Sequence, residues 1–262
     1  MKLTCLSHQV QITSSLEDLT PRELAAAQEV LRSTLGRLGF REVYLSPFDA
    51  YPIDFDGETV DVPNLGQLRF NTEPEIWSSY GTAERFFSIS ELFRREKVVN
   101  PLRRVSFLIV DFYQQGPPAG LLAVFKSILD DLAVSGFSSR LCRLPYREAR
   151  YDPIADGPIL ESSETGWVIT KGYDSAHSFF EMTDDGRSTR GEIFLVTPAG
   201  YLEVGAFGIV GRNANPQYIL RCDQEHIPSP PVGLSGMGFG LERLLLAERL
   251  LRHRAVLQYE DK

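Results

Sequence analysis

An α+β fold, helices packed on a sheet, is what this sequence predicts, and three stretches predict it. Residues 21–48 read as helix, glycine, strand and proline; residues 85–115 read as a long hairpin; residues 233–240 form a glycine-rich strand that runs into an apolar C-terminal helix. The chain of 262 residues is 43% hydrophobic and 24% charged, a balance that builds a sizeable core, and residues 1–262 are read as a single domain.

Taken in order, Thr20 reads as an N-cap and Pro21 as the first helical residue. Leu24, Ala27, Val30, Leu31, Leu35 and Leu38 then recur at helical spacing until Gly39 ends the helix. The segment FREVYLSPF reads as a strand that leaves its pairing at Pro47. Residues 49–71 are loop and short strands, and Thr72 and Pro74 open a short helix. RFFSISELFRRE and VSFLIVDFYQQ are two strands around a basic loop with Asn100-Pro101 at its bend. Alternation puts Leu92, Arg94 and Glu96 on one face of the first strand, and Val105, Phe107, Ile109 and Asp111 on one face of the second. An arginine beside an aromatic ring on a sheet suits a phosphate and a base, since a guanidinium takes phosphate oxygens by paired hydrogen bonds. The same residues also suit a charged edge that resists strand pairing.

Residues 117–136 read as a helix with Leu121, Val124, Phe125, Ile128, Leu129 and Leu132 inward. Residues 138–190 carry little periodic signal. GEIFLVT and YLEVGAFGIVG read as two strands joined at Pro198-Ala199-Gly200. Glu203 lies inside an apolar strand, so it faces solvent or holds something positive. Beside a nucleotide the hard cation Mg²⁺ suits such a carboxylate. In GLSGMGFGLERLLL the glycines permit close approach to the backbone, and Arg243 falls in the first turn of the following helix, where anions are favoured.

Three scattered cysteines and four isolated histidines form neither a disulfide framework nor a zinc pattern. The net charge of −8 gives no general attraction for nucleic acid, and no apolar run matches a membrane span. A cytoplasmic protein without a membrane partner is expected.

Three of these stretches resemble, in order, the signature motifs of class II aminoacyl-tRNA synthetases. The helix–Gly39–strand–Pro47 unit is similar to the first, Phe93-Arg94-Arg95-Glu96 with Phe107 to the second, and GMGFGLERL from Gly236 to Leu244 to the third. LRFNTEPE is similar to the segment that in the family holds the amino acid's ammonium, and EVGAFGIVGR to the strand that carries a metal-binding acid. The second motif departs from the common pattern at Arg103 and Ser106, where many members have His and Glu.

The resemblance implies an antiparallel six- to seven-stranded sheet flanked by helices. It implies an ATP-dependent, AMP-forming ligase, with ATP and Mg²⁺ as cofactors and Arg94 and Arg243 catalytic. Arg94, Glu96, Arg103, Phe107, Glu203, Gly238, Gly240 and Arg243 would hold ATP; Phe107 would stack on adenine, and Glu96 would contact its amino group or orient Arg94. Thr72, Glu73, Glu75, Gly205 and Phe207 would hold the amino acid, and Glu192 and Glu203 the metal. Lys171 is a weak candidate for an acidic substrate side chain, and pocket residues are also expected within Tyr173–Glu181. A homodimer through residues 21–47 is implied. The catalytic fold uses about all of the residues, so transfer to a non-tRNA acceptor is favoured: an amine, ammonia, a carrier or a protein. A truncated synthetase that charges a tRNA, for which the basic patch at Arg94, Arg95, Lys97, Arg103 and Arg104 speaks, and a catalytically silent regulatory subunit are the alternatives.

Overall fold

The computed structural model describes residues 19–51, 58–78, 84–96, 99–137, 146–152, 157–160, 166–172, 180, 189–197, 200–211 and 233–252. Helix α1 (Pro21–Arg37) starts as its sequence requires: Glu23 N–H donates to Thr20 Oγ1 at 3.2 Å while the Glu23 carboxylate takes Thr20 N–H at 2.7 Å. Gly39, at φ +82°, lets the chain leave the helix and turn into β1 (Arg41–Glu42). Strands β2 (Asp61–Val62) and β3 (Gly66–Gln67) make a small separate hairpin. Helix α2 (Glu73–Ser78) follows, and then the long hairpin of β4 (Arg85–Phe93) and β5 (Ser106–Gln115). Helix α3 is Ala119–Val134. Strands β6 (Tyr146–Asp152), β7 (Gly157–Ile159), β8 (Gly166–Lys171), β9 (Gly191–Thr197), β10 (Gly200–Val210) and β11 (Leu234–Gly240) lead to α4 (Leu241–Arg252).

The main sheet has nine strands in the order β1-β4-β5-β11-β10-β9-β8-β6-β7. Its centre, β4 to β8 in that order, is antiparallel as expected, but β1 runs parallel to β4 and β6 parallel to β8. The expected six or seven antiparallel strands are therefore the middle of a larger mixed sheet. The additions at the far edge come from residues 146–159, where β6 lies between β8 and the three-residue β7 and the strands are too short to show a clear alternation. The FREVYLSPF strand is also shorter than expected: regular pairing covers only Arg41 and Glu42, with Val43 N–H donating onward to Phe87 O at 2.7 Å.

Helices α1, α3 and α4 cover one face. Leu31 and Leu35 of α1, Ile128 and Leu132 of α3, and Leu244 and Leu250 of α4 enclose the main core with Val110, Phe112, Met237 and Phe239 of the sheet. Asp131 ties α3 to α1, accepting from Thr34 Oγ1 at 2.6 Å and Arg37 Nη2 at 2.5 Å. Because strand side chains alternate, the intervening residues of β5 and β11 face the other way, and that open face carries the site. No helix among the described residues is long and apolar enough to cross a membrane.

Candidate active site

The floor of the site is β5 against β11, with Ile109 opposite Gly240, Asp111 opposite Gly238 and Tyr113 opposite Gly236. Met237 and Phe239 lie in the core, so period two sends all three glycines to the open face. Close approach was expected at these glycines, and the neighbouring strand supplies it. A Cβ on Gly238 would lie 2.2 Å from Asp111 Oδ1, and one on Gly236 would lie 2.5 Å from the Tyr113 ring. The glycines thus lodge β5 side chains, and what remains is a cleft of about 260 Å³. Its lining brings together Arg94, Glu96, Arg103, Phe107, Glu203, Gly238, Gly240 and Arg243 with Glu73 and Gly205.

At one end the Arg94 guanidinium lies between two rings, 4.9 Å from the centre of Phe70 and 5.2 Å from that of Phe107. Its buried Nε has no hydrogen-bond partner among the described residues. Burial lowers the Arg94 pKa, against the pull of Glu73 and Glu96 and with help from Arg243; a guanidinium nevertheless stays charged at neutral pH. Arg243 sits in the first turn of α4, donating from Nε to Leu102 O and from Nη1 to Glu203 O, each at 3.2 Å. Nη1 also lies 3.7 Å from Glu203 Oε2. Glu96 is paired with Arg103, whose Nε donates to its carboxylate, so it neither orients Arg94 by a hydrogen bond nor stands open. Glu242 was not singled out by sequence. Both its oxygens accept Leu108 N–H, at 2.8 and 3.0 Å, locking α4 to β5, and burial raises its carboxyl pKa.

Deeper along the floor, Thr72 Oγ1 donates to Asp111 Oδ2 at 2.5 Å, and Thr72 N–H donates to Glu73 Oε2 at 3.1 Å. Burial, and then the neighbouring Glu73 charge, push the Asp111 carboxyl well above its usual range; the Thr72 hydrogen bond and Arg94 pull less strongly the other way. Burial raises Glu73 as well. Two acids compete here for one ionised state, a setting that favours arrival of a cation.

Four of the expected site residues lie outside the cleft lining. Glu75 lies outside the cleft and accepts from Arg69 Nη2 at 2.7 Å. Thr72 is buried behind Asp111 and does not line the cleft. Phe207 is buried in the main core with Leu202 and Val204, so the phase of alternation changes between Val204 and Phe207 and turns the ring away. Glu192 is also buried outside the lining, its Oε1 2.6 Å from Arg190 Nη2. Lys171 pairs with Glu148 at 2.6 Å on the surface. Of Tyr173–Glu181 only Phe180 is among the described residues; it lines the cleft. Arg190, which also lines it, went unnoticed because it lies in the stretch without periodic signal. Among the described residues no group of three or more His, Cys, Asp or Glu could hold a metal by itself.

No family profile matches the chain, and no curated protein matches it. Solved structures do. Asparaginyl-tRNA synthetase from Pyrococcus horikoshii, complexed with asparaginyl-adenylate, superposes with a TM-score of 0.65 at 14% identity, over 86% of this chain and 64% of that one. Asparaginyl-tRNA synthetase from Entamoeba histolytica, also with asparaginyl-adenylate, gives 0.61 at 13% identity over 88% and 63%. Aspartyl-tRNA synthetase from Entamoeba histolytica gives 0.58 at 14% over 87% and 54%. The chain therefore has the fold of a class II synthetase catalytic core, and it spans less than two thirds of the length of each of these structures.

Proposed function

We propose that this chain uses ATP to activate the carboxylate of an amino acid, giving an aminoacyl-adenylate and pyrophosphate. The observation that carries the reading is the meeting of Arg94, Phe107 and Arg243, distant in sequence, in one cleft. A substrate carboxylate oxygen attacks the α-phosphorus, the bond from that phosphorus to the bridging oxygen breaks, and pyrophosphate leaves. The carboxylate is ionised at neutral pH, so no general base is required. The chain must supply alignment and positive charge where negative charge accumulates. Arg94 faces the α-phosphate and Arg243 the outer phosphates. Phe107 stacks on adenine across the ring face that Arg94 leaves open. Glu73 and Asp111 take the ammonium.

Glu203, half-buried on the cleft wall, fits a Mg²⁺ that phosphates would also ligate, whereas Glu192, held by Arg190, does not fit. Such an ion, when bound, would neutralise phosphate charge. Dimerisation through residues 21–47, where Tyr44 is 81% exposed, belongs to the same proposal.

As acceptor we propose an amine, ammonia, a carrier or a protein in place of a tRNA. Two features support this: the net charge of −8, and the place of Arg94, Arg103 and Arg104 in the lining of the cleft. Amino-acid-dependent exchange of labelled pyrophosphate into ATP tests activation, and silence with every amino acid refutes it. Acceleration of AMP release by hydroxylamine or ammonia, with none from total tRNA, is the expected acceptor result. Acid-stable charging of tRNA would refute the acceptor assignment while keeping activation.

A further inference from the structure

We infer that Glu242 is a positioning residue for the nucleotide: by holding Leu108 N–H it fixes how far the Arg243 guanidinium stands from the Phe107 ring. The inference rests on the activation reading and deepens it. One ATP engages its base and its outer phosphates together only when that gap matches its length.

Two pairs of sequence neighbours make the link. Leu108 follows Phe107, and Glu242 precedes Arg243. The Leu108 N–H belongs to the planar peptide unit that begins at the Phe107 Cα, so a bond to that N–H also places the point from which the ring projects. On α4, successive side chains are turned by about 100°. Glu242 therefore reaches β5, while Arg243, one step round, reaches Leu102 O and Glu203 O. The rest of each element is fixed elsewhere. Arg94 lies 5.2 Å from the centre of the Phe107 ring, and Leu108 packs against the main core. Leu244, Leu245 and Leu250 hold the body of α4 in that core. The first turn of α4, which carries Arg243, is the part that Glu242 ties to β5.

The sheet shows why a side chain makes this tie. Pairing of β5 with β11 ends at Ile109 and Gly240, where the chain turns into α4. The next residue of β5, Leu108, has no β11 residue opposite, and the Glu242 carboxylate takes its N–H with both oxygens, at 2.8 and 3.0 Å. A carboxylate thus continues a ladder that the backbone has left. The fold alone gives little reason for a charge there. Glu242 is 7% exposed, and burial raises its carboxyl pKa against the pull of the backbone N–H groups of Leu108 and of Glu242 itself. An apolar residue would leave the Leu108 N–H without this acceptor. An acid one methylene shorter would have to draw α4 toward β5 to make the bond. Only a side chain of this reach spans the two elements at the observed separation, and it does so on the lining of the cleft.

The test compares the unaltered protein with Glu242→Met, Glu242→Asp and Glu242→Gln. Met keeps the length without an acceptor, Asp keeps the charge without the reach, and Gln keeps the reach and one accepting oxygen. Thr34→Val, which cuts a tie from α1 to Asp131 of α3, is the control for a general loss of stability. Pyrophosphate exchange gives KM for ATP and for the amino acid, calorimetry gives Kd for ATP and for AMP without chemistry, and the melting temperature reads the fold. AMP lacks the outer phosphates, so the ratio of its Kd to that of ATP measures how well base and outer phosphates are engaged together. In Glu242→Met and Glu242→Asp, KM for ATP should rise by about 30-fold, the scale of a lost hydrogen bond to a charged group. AMP binding and KM for the amino acid should stay within about threefold. Glu242→Gln should recover most of the loss, and Thr34→Val should lower the melting temperature and leave the ratio unchanged. Unchanged ATP binding in Glu242→Met overturns the inference and leaves activation standing. So does a joint weakening of ATP, AMP and amino acid in step with the melting temperature. If Glu242→Met does not fold, Glu242→Asp carries the same decision. No exchange by the unaltered protein with any amino acid, with a Kd ratio that still falls in the variants, overturns activation and keeps Glu242. Neither exchange nor binding of ATP overturns both.

Discussion

Arg69 and Arg94 stand almost side by side, because Phe93 N–H donates to Arg69 O at 2.8 Å. Their surroundings differ in kind. Arg69 is 1% exposed and its guanidinium donates to Ser46 O at 2.6 Å, Phe48 O at 3.0 Å, Asn71 O at 3.4 Å and the Glu75 carboxylate at 2.7 Å. It gathers the chain after β1, the approach to α2 and α2 itself. Arg94 is gripped by Phe70 and Phe107, and its Nε has no partner among the described residues. Rings fix the plane of a guanidinium without occupying its N–H groups. The first arginine is a strut with all three of its guanidinium nitrogens donating to the chain; the second is held in place with its Nε kept for a ligand.

Substitution of each should therefore break a different property. Arg94→Met is expected to lower pyrophosphate exchange by about 10³-fold, the scale for removing a charge that stabilises a phosphoryl transition state. Its unfolding free energy should stay within about 1 kcal/mol, because a desolvated cation is exchanged for an apolar chain of similar length. Exchange near the unaltered rate would end the assignment of Arg94, and a large stability loss would make it a strut like Arg69.

Arg69→Met should do the reverse. It leaves the Glu75 carboxylate and three carbonyls without their donor, and about 3 kcal/mol of stability is expected to go, measured by urea unfolding. Exchange by the folded fraction should fall less than tenfold. An Arg69→Met protein of normal stability would remove the contrast between the two residues.

The sequence reveals one of these arginines far better than the other, for a physical reason. Arg94 follows directly on β4, whose alternation is readable, and Phe107 and the glycines of β11 are readable in the same way, since period two separates Met237 and Phe239 from Gly236, Gly238 and Gly240, while Arg243 is readable from its place in the first turn of α4. Arg69 looks like an ordinary polar residue of LRFN. Its meaning comes from carbonyls at Ser46 and Phe48, and a carbonyl has no residue type to betray it. The Glu96–Arg103 pair needed knowledge of which face the loop turns toward. Phe207 was expected at the cleft from the resemblance of EVGAFGIVGR, and the change of phase after Val204 places its ring in the core. Arg190, the parallel β1, and β6 and β7 lie where pairing partners are remote and alternation is short.

The contrast extends to the acids, with a smaller effect. Asp111 is buried, hydrogen-bonded by Thr72 and faced by Glu73 and Arg94, and its carboxyl pKa is raised in the folded chain. A group with a raised folded pKa binds more protons folded than unfolded between its ordinary value and the raised one, so stability falls as pH rises through that window, by at most about 1.4 kcal/mol per pH unit. Asp111→Asn keeps an acceptor for Thr72 and deletes the titration. It should unfold with a flatter pH dependence above pH 4 and gain about 1 kcal/mol at neutral pH over the unaltered protein. Glu73, Asp49 and Glu242 are raised by burial in the same direction and leave a residual slope, which Glu73→Gln should reduce further. The same Asp111→Asn protein should need more amino acid for half-maximal exchange, because the ammonium loses a partner, and its KM for ATP should not move. Greater stability with weaker amino-acid binding is the signature of an acid kept for a ligand at the fold's expense. An unchanged slope, or a loss of stability, would place Asp111 with Arg69 among the groups that hold the chain together.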